Sequence, residues 1–389
     1  MFYRLSESAN NLEGQPMFKV LAAVQQLERQ GENVVHFEIG DPDFSTPKNI
    51  VNAACESLRK GETHYTSSIG LTDFREVICQ TTENTRGFSP QISQVLVAPG
   101  ANILIYYAIR CLVNSGDEVL VPDPGFPTYY SVLKFCGVAP VRVPLREENG
   151  FRMNPEDVRK CITDKTRLII INSPQNPTGS VMTPAEIEEI YTIAEENDIY
   201  LYSDEIYARM MFDDAVPFYS PGKIDKGLKR TIIANGFSKA FAMTGWRLGV
   251  AIGPEDVIEK MGLLLQTTSS CVSPFVQRAG IEAIQGDQSE VREMMRVYRR
   301  RRDLLVNGLN SLPGVNCLKP DGAFYVFPNI KKTGHTSESF AHLMLEKAKV
   351  ALLPGTNFGE YGQGYVRLCY ATSEDRIIEG IRRMKNVLG

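Results

Sequence analysis

From about residue 46 to 285 the chain alternates between short, nearly continuous apolar runs and longer stretches with apolar residues at helical spacing. The runs are 95–98 (VLVA), 118–122 (EVLVP), 138–143, 167–172 (RLIIIN), 199–203 (IYLYS), 231–235 (TIIAN) and 248–252 (LGVAI). Residues 184–197 (PAEIEEIYTIAEEN) typify the helical stretches between them. Strands apolar on both faces, alternating with amphipathic helices, predict an α/β fold whose mostly parallel sheet is covered by helices on both sides. In such sheets the ligand crevice lies beyond the carboxyl ends of the strands, where Gly100, Asn176, Asp204 and Lys239 fall.

Outside this region the pattern changes. Residues 1–45 begin polar, pass through a helix expected from Met17 to Gly31, and end in a short strand, VVHFEIG. Residues 312–389 contain a strand-like AFYVFP, a helix near 337–349, a Gly-rich loop PGTNFGEYGQG, a strand YVRLCYA and a closing amphipathic helix. The expected division is an N-terminal arm that completes part of a small domain (1–45), a large domain (46–285), a linking helix (286–311) and a small α+β domain (312–389). The basic run MMRVYRRRRD, residues 294–303, could suit nucleic acid, but the solvated face of the linking helix is the better expectation.

Composition narrows the function classes. At 389 residues, 43% hydrophobic and with a net charge of −4, the chain reads as an ordinary globular protein with no expected nucleic-acid or membrane partner. Its eight cysteines show no CxxC or paired spacing, which fits reduced thiols in a cytosolic protein, and no metal is expected. The first residues lack a basic segment followed by an apolar run, so a cytoplasmic location is expected.

The chemistry centres on residues 235–249, NGFSKAFAMTGWRLG. A lysine that forms a Schiff base needs an uncharged amine near neutral pH, and burial plus a neighbouring cation lowers its pKa. Lys239 sits among small and apolar residues, and Arg247 follows eight positions later with the planar fork that suits a phosphate. In APGAN, residues 98–102, a strand meets a helix through a small turn, so the N–H groups of Ala101 and Asn102 can face an anion, with Ser238 and Arg247 completing the cup. Tight packing would also explain that junction.

S-K-x-x-x-M-T-G-W-R resembles the lysine signature of the class I aminotransferases, fold type I enzymes that use pyridoxal 5'-phosphate. The resemblance runs from IGDPDF to VRLCYA and implies a role for several further residues. Asp204 in YSDEIY would sit beside the cofactor's ring nitrogen, although an Asp at a strand end is often a cap. Tyr207 and Asn176 (SPQNPTG) would bond the ring's 3-oxygen, and Phe126 (DPGFPTY) would stack on the ring, whereas alone these motifs read as turn and core. Arg367 (GYVRLCYA) would bind the substrate carboxylate, with a structural ion pair as the alternative, and Gly40 in the IGDPDFSTP loop would border it. Tyr65 would reach the cofactor phosphate of a second subunit, making a homodimer with shared sites. Two positions depart from the family. Gly236 stands where a phosphate-binding serine is common, and Cys271 lies where an asparagine is often found.

The reaction implied moves the amino group of an L-amino acid to a 2-oxo acid in a ping-pong cycle. A carbon-sulfur β-lyase on the same scaffold is the alternative, and a non-catalytic cofactor-sensing protein is a more distant one. Bacterial aspartate aminotransferases of a similar type carry a lysine after the phosphate-turn glycine, in a G-x-K pattern, that meets the substrate's distal carboxylate. Asn102 stands there instead, so neutral donors are expected unless Arg4 or a partner residue supplies the charge.

Overall fold

The computed structural model describes residues 4–12, 14, 16–213 and 218–389. Strands are numbered along the chain. After β1 (Val35–His36) come the seven strands of the main sheet: β2 (Val95–Ala98), β3 (Glu118–Asp123), β4 (Ala139–Pro144), β5 (Thr166–Asn172), β6 (Tyr200–Asp204), β7 (Thr231–Gly236) and β8 (Gly249–Ile252). Their spatial order is β2-β8-β7-β6-β5-β3-β4. Neighbours from β7 to β4 run parallel, and only β8 is reversed, antiparallel to both β2 and β7. The sheet is therefore mostly parallel, with helices on both faces, and each predicted strand falls within a residue or two of an observed one.

The reversal of β8 has a consequence that hydrophobic periodicity could not reveal. Gly249, its first residue, lies across from Gly236 and Ala98, the last residues of β7 and β2. The segment entering β8, which carries Arg247, therefore opens on the same edge as the carboxyl ends of the parallel strands. Backbones approach closely here, and a Cβ on Gly249 would come within 2.5 Å of Ala101 N and Gly100 C.

The remaining strands form two small sheets. β1 runs parallel to β10 (Val350–Ala351), so the N-terminal segment does pair with the C-terminal part of the chain. β12 (Val366–Cys369) lies antiparallel between β11 (Leu353–Pro354) and β9 (Tyr325–Val326). The helix expected from Met17 spans Met17–Arg29 and buries only Val24. The closing helix is Glu374–Leu388. No described helix is long and apolar enough to cross a membrane.

One expectation needs correction. The basic run lies on a 22-residue helix, Ser289–Asn310, but it is not simply a solvated face. Arg301 and Arg302 are buried. Met294, Tyr298, Arg301, Leu305 and Leu309 recur every three or four residues, so Arg301 belongs to the core-facing stripe. Its guanidinium forms a two-pronged pair with Asp43, and that of Arg302 stacks 4.5 Å over Phe212. These partners come from loops distant in sequence, which a charge pattern on one helix does not predict.

The tight β2–β8 edge makes a stability prediction. Gly249→Ala should lose about 1–3 kcal/mol, because backbone rather than a yielding side chain blocks the new methyl group. Gly245→Ala, where a Cβ meets nothing within 4 Å, is the control. Urea denaturation midpoints check this, and equal midpoints for the two variants would contradict it.

Candidate active site

Gly100 ends the turn after β2 with φ 91°, a conformation that suits glycine, and the helix Ala101–Leu112 starts immediately after it. The first N–H groups of that helix have no partner inside it and open on the crevice. A Cβ on Gly100 would meet Arg247 Nη2 at 2.4 Å, so the guanidinium rests against this turn. Arg247 itself has φ 53°, and its Nη1 donates to Thr244 O at 2.9 Å. Ser238 is buried beside them. Gly236 cannot become serine without displacement, since its Cβ would meet Ile206 Cδ1 at 2.8 Å and Ala101 Cβ at 3.3 Å.

Lys239 follows β7 in the loop that leads to Arg247. Its Nζ donates to Gly40 O at 2.7 Å and lies 5.6 Å from the centre of the Phe324 ring. Burial pushes its pKa down to about 8; Cys369 and Asp41 oppose the shift, and the positive charges of Arg367 and Arg247 add to it.

Asp204 is the last residue of β6. Its Oδ2 accepts from Tyr129 Oη at 2.6 Å and its Oδ1 from the Ile206 N–H at 3.2 Å. Burial raises its pKa to about 6 despite these two donors. Asn172, at the end of β5, donates to Asp204 O at 3.0 Å and accepts from the Asn176 N–H at 3.0 Å. Tyr207 Oη lies 2.8 Å from Tyr325 Oη.

Arg367, in β12, is fully buried. It reaches Asn176 Oδ1 at 3.4 Å and the Glu38 carbonyl oxygen, and it sits 4.7 Å over the Tyr325 ring and 5.0 Å over that of Phe358. Its Nε has no partner, and no carboxylate pairs with it among the described residues. The ion-pair alternative for Arg367 therefore finds no support. A buried guanidinium held only by neutral groups is costly and suits an anion arriving from outside the chain.

These groups share one cavity of about 440 Å³. Gly40, Ala101, Asn102, Phe126, Asn176, Asp204, Tyr207, Ser238, Lys239, Arg247 and Arg367 all line it, and Gly100 forms the turn beneath Arg247. Phe126 precedes the helix Pro127–Phe135 and meets Tyr129 edge-on at 5.6 Å. Tyr65 is not part of this lining; it is 87% exposed, and the neighbouring Thr66 N–H meets Cys271 Sγ at 3.5 Å. Arg4 is outside the lining as well.

Sequence reasoning missed Tyr129, Asn172, Tyr325 and an apolar wall of Met17, Phe18 and Leu21. Tyr129 stands beside a second tyrosine in PTYY, and nothing local separates them. The wall does have a signal: in a helix that buries only Val24, Phe18 remains 61% exposed at the cavity mouth.

The donor set fits an organic phosphate cofactor. N–H groups at a helix start, a hydroxyl and a guanidinium suit a phosphate, a buried carboxylate suits a protonated ring nitrogen, and an amine of lowered pKa suits an aldehyde.

Comparison with known proteins agrees. A family model for aminotransferase class I and II matches residues 32–384. The chain is 43% identical to an aspartate aminotransferase of Pyrococcus horikoshii, covering 92% of this chain and 91% of that one. It is 42% identical to aromatic-amino-acid aminotransferase 2 of Thermococcus litoralis, covering 92% of each. The solved aspartate aminotransferase from Thermus thermophilus with maleate superposes with a TM-score of 0.94 at 34% identity, over 99% of this chain and all of the other. The chain belongs to the class I and II aminotransferases, enzymes of the pyridoxal 5'-phosphate-dependent fold type I.

Proposed function

We propose that this enzyme moves the amino group of a neutral, apolar L-amino acid to a 2-oxo acid such as 2-oxoglutarate or pyruvate. One observation carries the reading: the positively charged side chains lining the cavity are Lys239, Arg247 and Arg367, and each ends on a backbone carbonyl. The Ala101 and Asn102 N–H groups, Ser238 and Arg247 would hold the cofactor's phosphate. Asp204 would hold the ring nitrogen's proton, while Tyr207 and Asn176 would face the ring's 3-oxygen and Phe126 its flat side. Pyridoxal 5'-phosphate, when bound, supplies the electron sink for the pair left on the substrate's Cα.

The chain's own groups then divide the work. Arg367 orients the donor through its α-carboxylate, with Gly40 close enough to Tyr325 that a side chain there would clash. Lys239 Nζ would take the proton from Cα and deliver it to the cofactor's C4' carbon, a task suited to an amine whose pKa is pulled down to about 8. Tyr129 keeps Asp204 ionised against its burial.

Substrate choice rests on the cavity mouth. The names of similar proteins divide between aspartate and aromatic amino acids. Here Met17, Phe18, Leu21, Ile39 and Ile105 line the cavity, Asn102 adds no charge, and no fourth cation lines it among the described residues. A distal carboxylate in such surroundings would be desolvated without a partner. The proposal includes a homodimer in which the exposed Tyr65 ring meets a second subunit's site, a large domain at 46–285, a small one at 312–389 and a cytoplasmic location.

A donor panel tests this function: protein, pyridoxal 5'-phosphate, single amino acids and 2-oxoglutarate. Glutamate should form, whereas pyruvate with ammonia would indicate a β-lyase. Phenylalanine or leucine should exceed aspartate in kcat/KM, and an aspartate lead of more than about tenfold would reveal an unassigned cation. Phe18→Ala should lower kcat/KM for phenylalanine about tenfold and change that for alanine little, as expected for lost apolar contact. An equal fall for both donors would remove Phe18 from substrate selection.

Tyr129→Phe generates a pH prediction. Its hydroxyl stabilises the Asp204 carboxylate, so removing it should raise the pKa of Asp204 from about 6 by about one unit, leaving the group about half protonated at neutral pH. Infrared difference spectra against Asp204→Asn variants follow this carboxyl. An unchanged midpoint would contradict the assignment.

A further inference from the structure

The segment 38–46 touches the site in a way that neither the cofactor nor the substrate accounts for. Glu38 O accepts from Arg367 and Gly40 O accepts from Lys239 Nζ at 2.7 Å, so two carbonyls two residues apart hold two of the cavity's three cations. Just beyond, the segment is fastened at two points. Asp43 meets Arg301 through both oxygens, at 2.7 and 2.8 Å, and Arg301 also lies 5.1 Å over the Phe44 ring. Thr46 Oγ1 donates to Ala242 O at 2.6 Å and accepts from Trp246 Nε1 at 3.0 Å, tying the segment to the loop that carries Lys239.

We propose that the Asp43–Arg301 pair and Thr46 are positioning residues that hold the Gly40 carbonyl against Lys239 Nζ and so set the proton affinity of the reacting amine. The inference rests on the reading of Lys239 as that amine.

The fastening suits this role better than general stabilisation does. Arg301 is buried on the core stripe of the 289–310 helix, a rigid element, and its planar fork fixes Asp43 in orientation as well as distance. Gly40 lies close against Tyr325, where no side chain fits, since a Cβ there would meet Tyr325 Oη at 2.1 Å. A carbonyl accepting from an ammonium favours the charged form, opposing the burial that disfavours it. The other groups facing this nitrogen are Asp41 on the same segment, Cys369 and Arg367 on β12, and Arg247 on the lysine loop. Asp204, Tyr207 and Tyr325 line the same cavity. Asp41 moves with the fastened segment, and because it favours the charged amine its withdrawal would lower the midpoint in the same direction as loss of the Gly40 carbonyl.

The test uses the full chain loaded with pyridoxamine 5'-phosphate, which leaves Lys239 with a free amine. Labelling by acetic anhydride across pH, read by mass spectrometry of the Lys239 peptide, gives the titration midpoint. The wild type should titrate below an ordinary lysine, as its burial requires. Arg301→Gln and Asp43→Asn should lower the midpoint by about one unit, the scale of one hydrogen bond to a charged group, with Arg301→Lys in between. Thr46→Val, which removes a single hydroxyl, should shift it in the same direction and provides the reading should the charge variants not fold. Midpoints equal to or above the wild type in variants that retain the cofactor would overturn the proposal and leave a purely structural pair. Reductive trapping of the cofactor on another lysine would instead overturn the role of Lys239, while the midpoints would still report on the clasp.

Discussion

Three cations line one cavity, and each is met by a backbone carbonyl rather than a carboxylate. Lys239 ends on Gly40, Arg247 on Thr244 and Arg367 on Glu38. Neutral acceptors satisfy hydrogen bonds but leave charge uncompensated, and for a fully buried group such as Arg367 that costs several kcal/mol. The arrangement is sustainable because the rest of the fold holds it in place, and it is useful because an anionic ligand recovers the energy. A phosphate at the helix start and an α-carboxylate at Arg367 would each supply the missing charge. The same cations help to hold the amine of Lys239 below its ordinary pKa.

Placing three cations together is the task of the sheet. Parallel strands deliver Gly100, Asp204 and Lys239 to one edge through their carboxyl ends, and the reversed β8 delivers Arg247 to that edge through its amino end. Arg367 arrives from a separate three-stranded sheet, while the 38–46 segment joins that sheet to the lysine loop. The long 289–310 helix contributes Arg301, which anchors that segment from the core side. Catalytic geometry here depends on contacts between parts of the chain hundreds of residues apart.

Much of this was legible in the sequence, for identifiable reasons. Near-continuous apolar strands announce a buried parallel sheet, and the residues singled out after strand ends, Gly100, Asp204, Lys239 and Arg247, do come together at one cavity. What stayed hidden depends on direction and long-range contact. Periodicity does not say which way a strand runs, so the reversal of β8 was invisible. Arg301 looks like one of four adjacent arginines until the helix is placed against Asp43 and Phe44. Tyr129 reaches Asp204 across 75 residues of sequence, and no local pattern marks it over its neighbour Tyr130. The apolar wall at Met17, Phe18 and Leu21 reads as an ordinary amphipathic stripe until the cavity beside it is seen.

The most direct test of this account is where the cofactor attaches. Protein loaded with pyridoxal 5'-phosphate is reduced with borohydride, digested and mapped by mass spectrometry. A single labelled peptide carrying Lys239, absent from Lys239→Ala, is the predicted result. A label on any other lysine would contradict the assignment of this cavity as the reacting site.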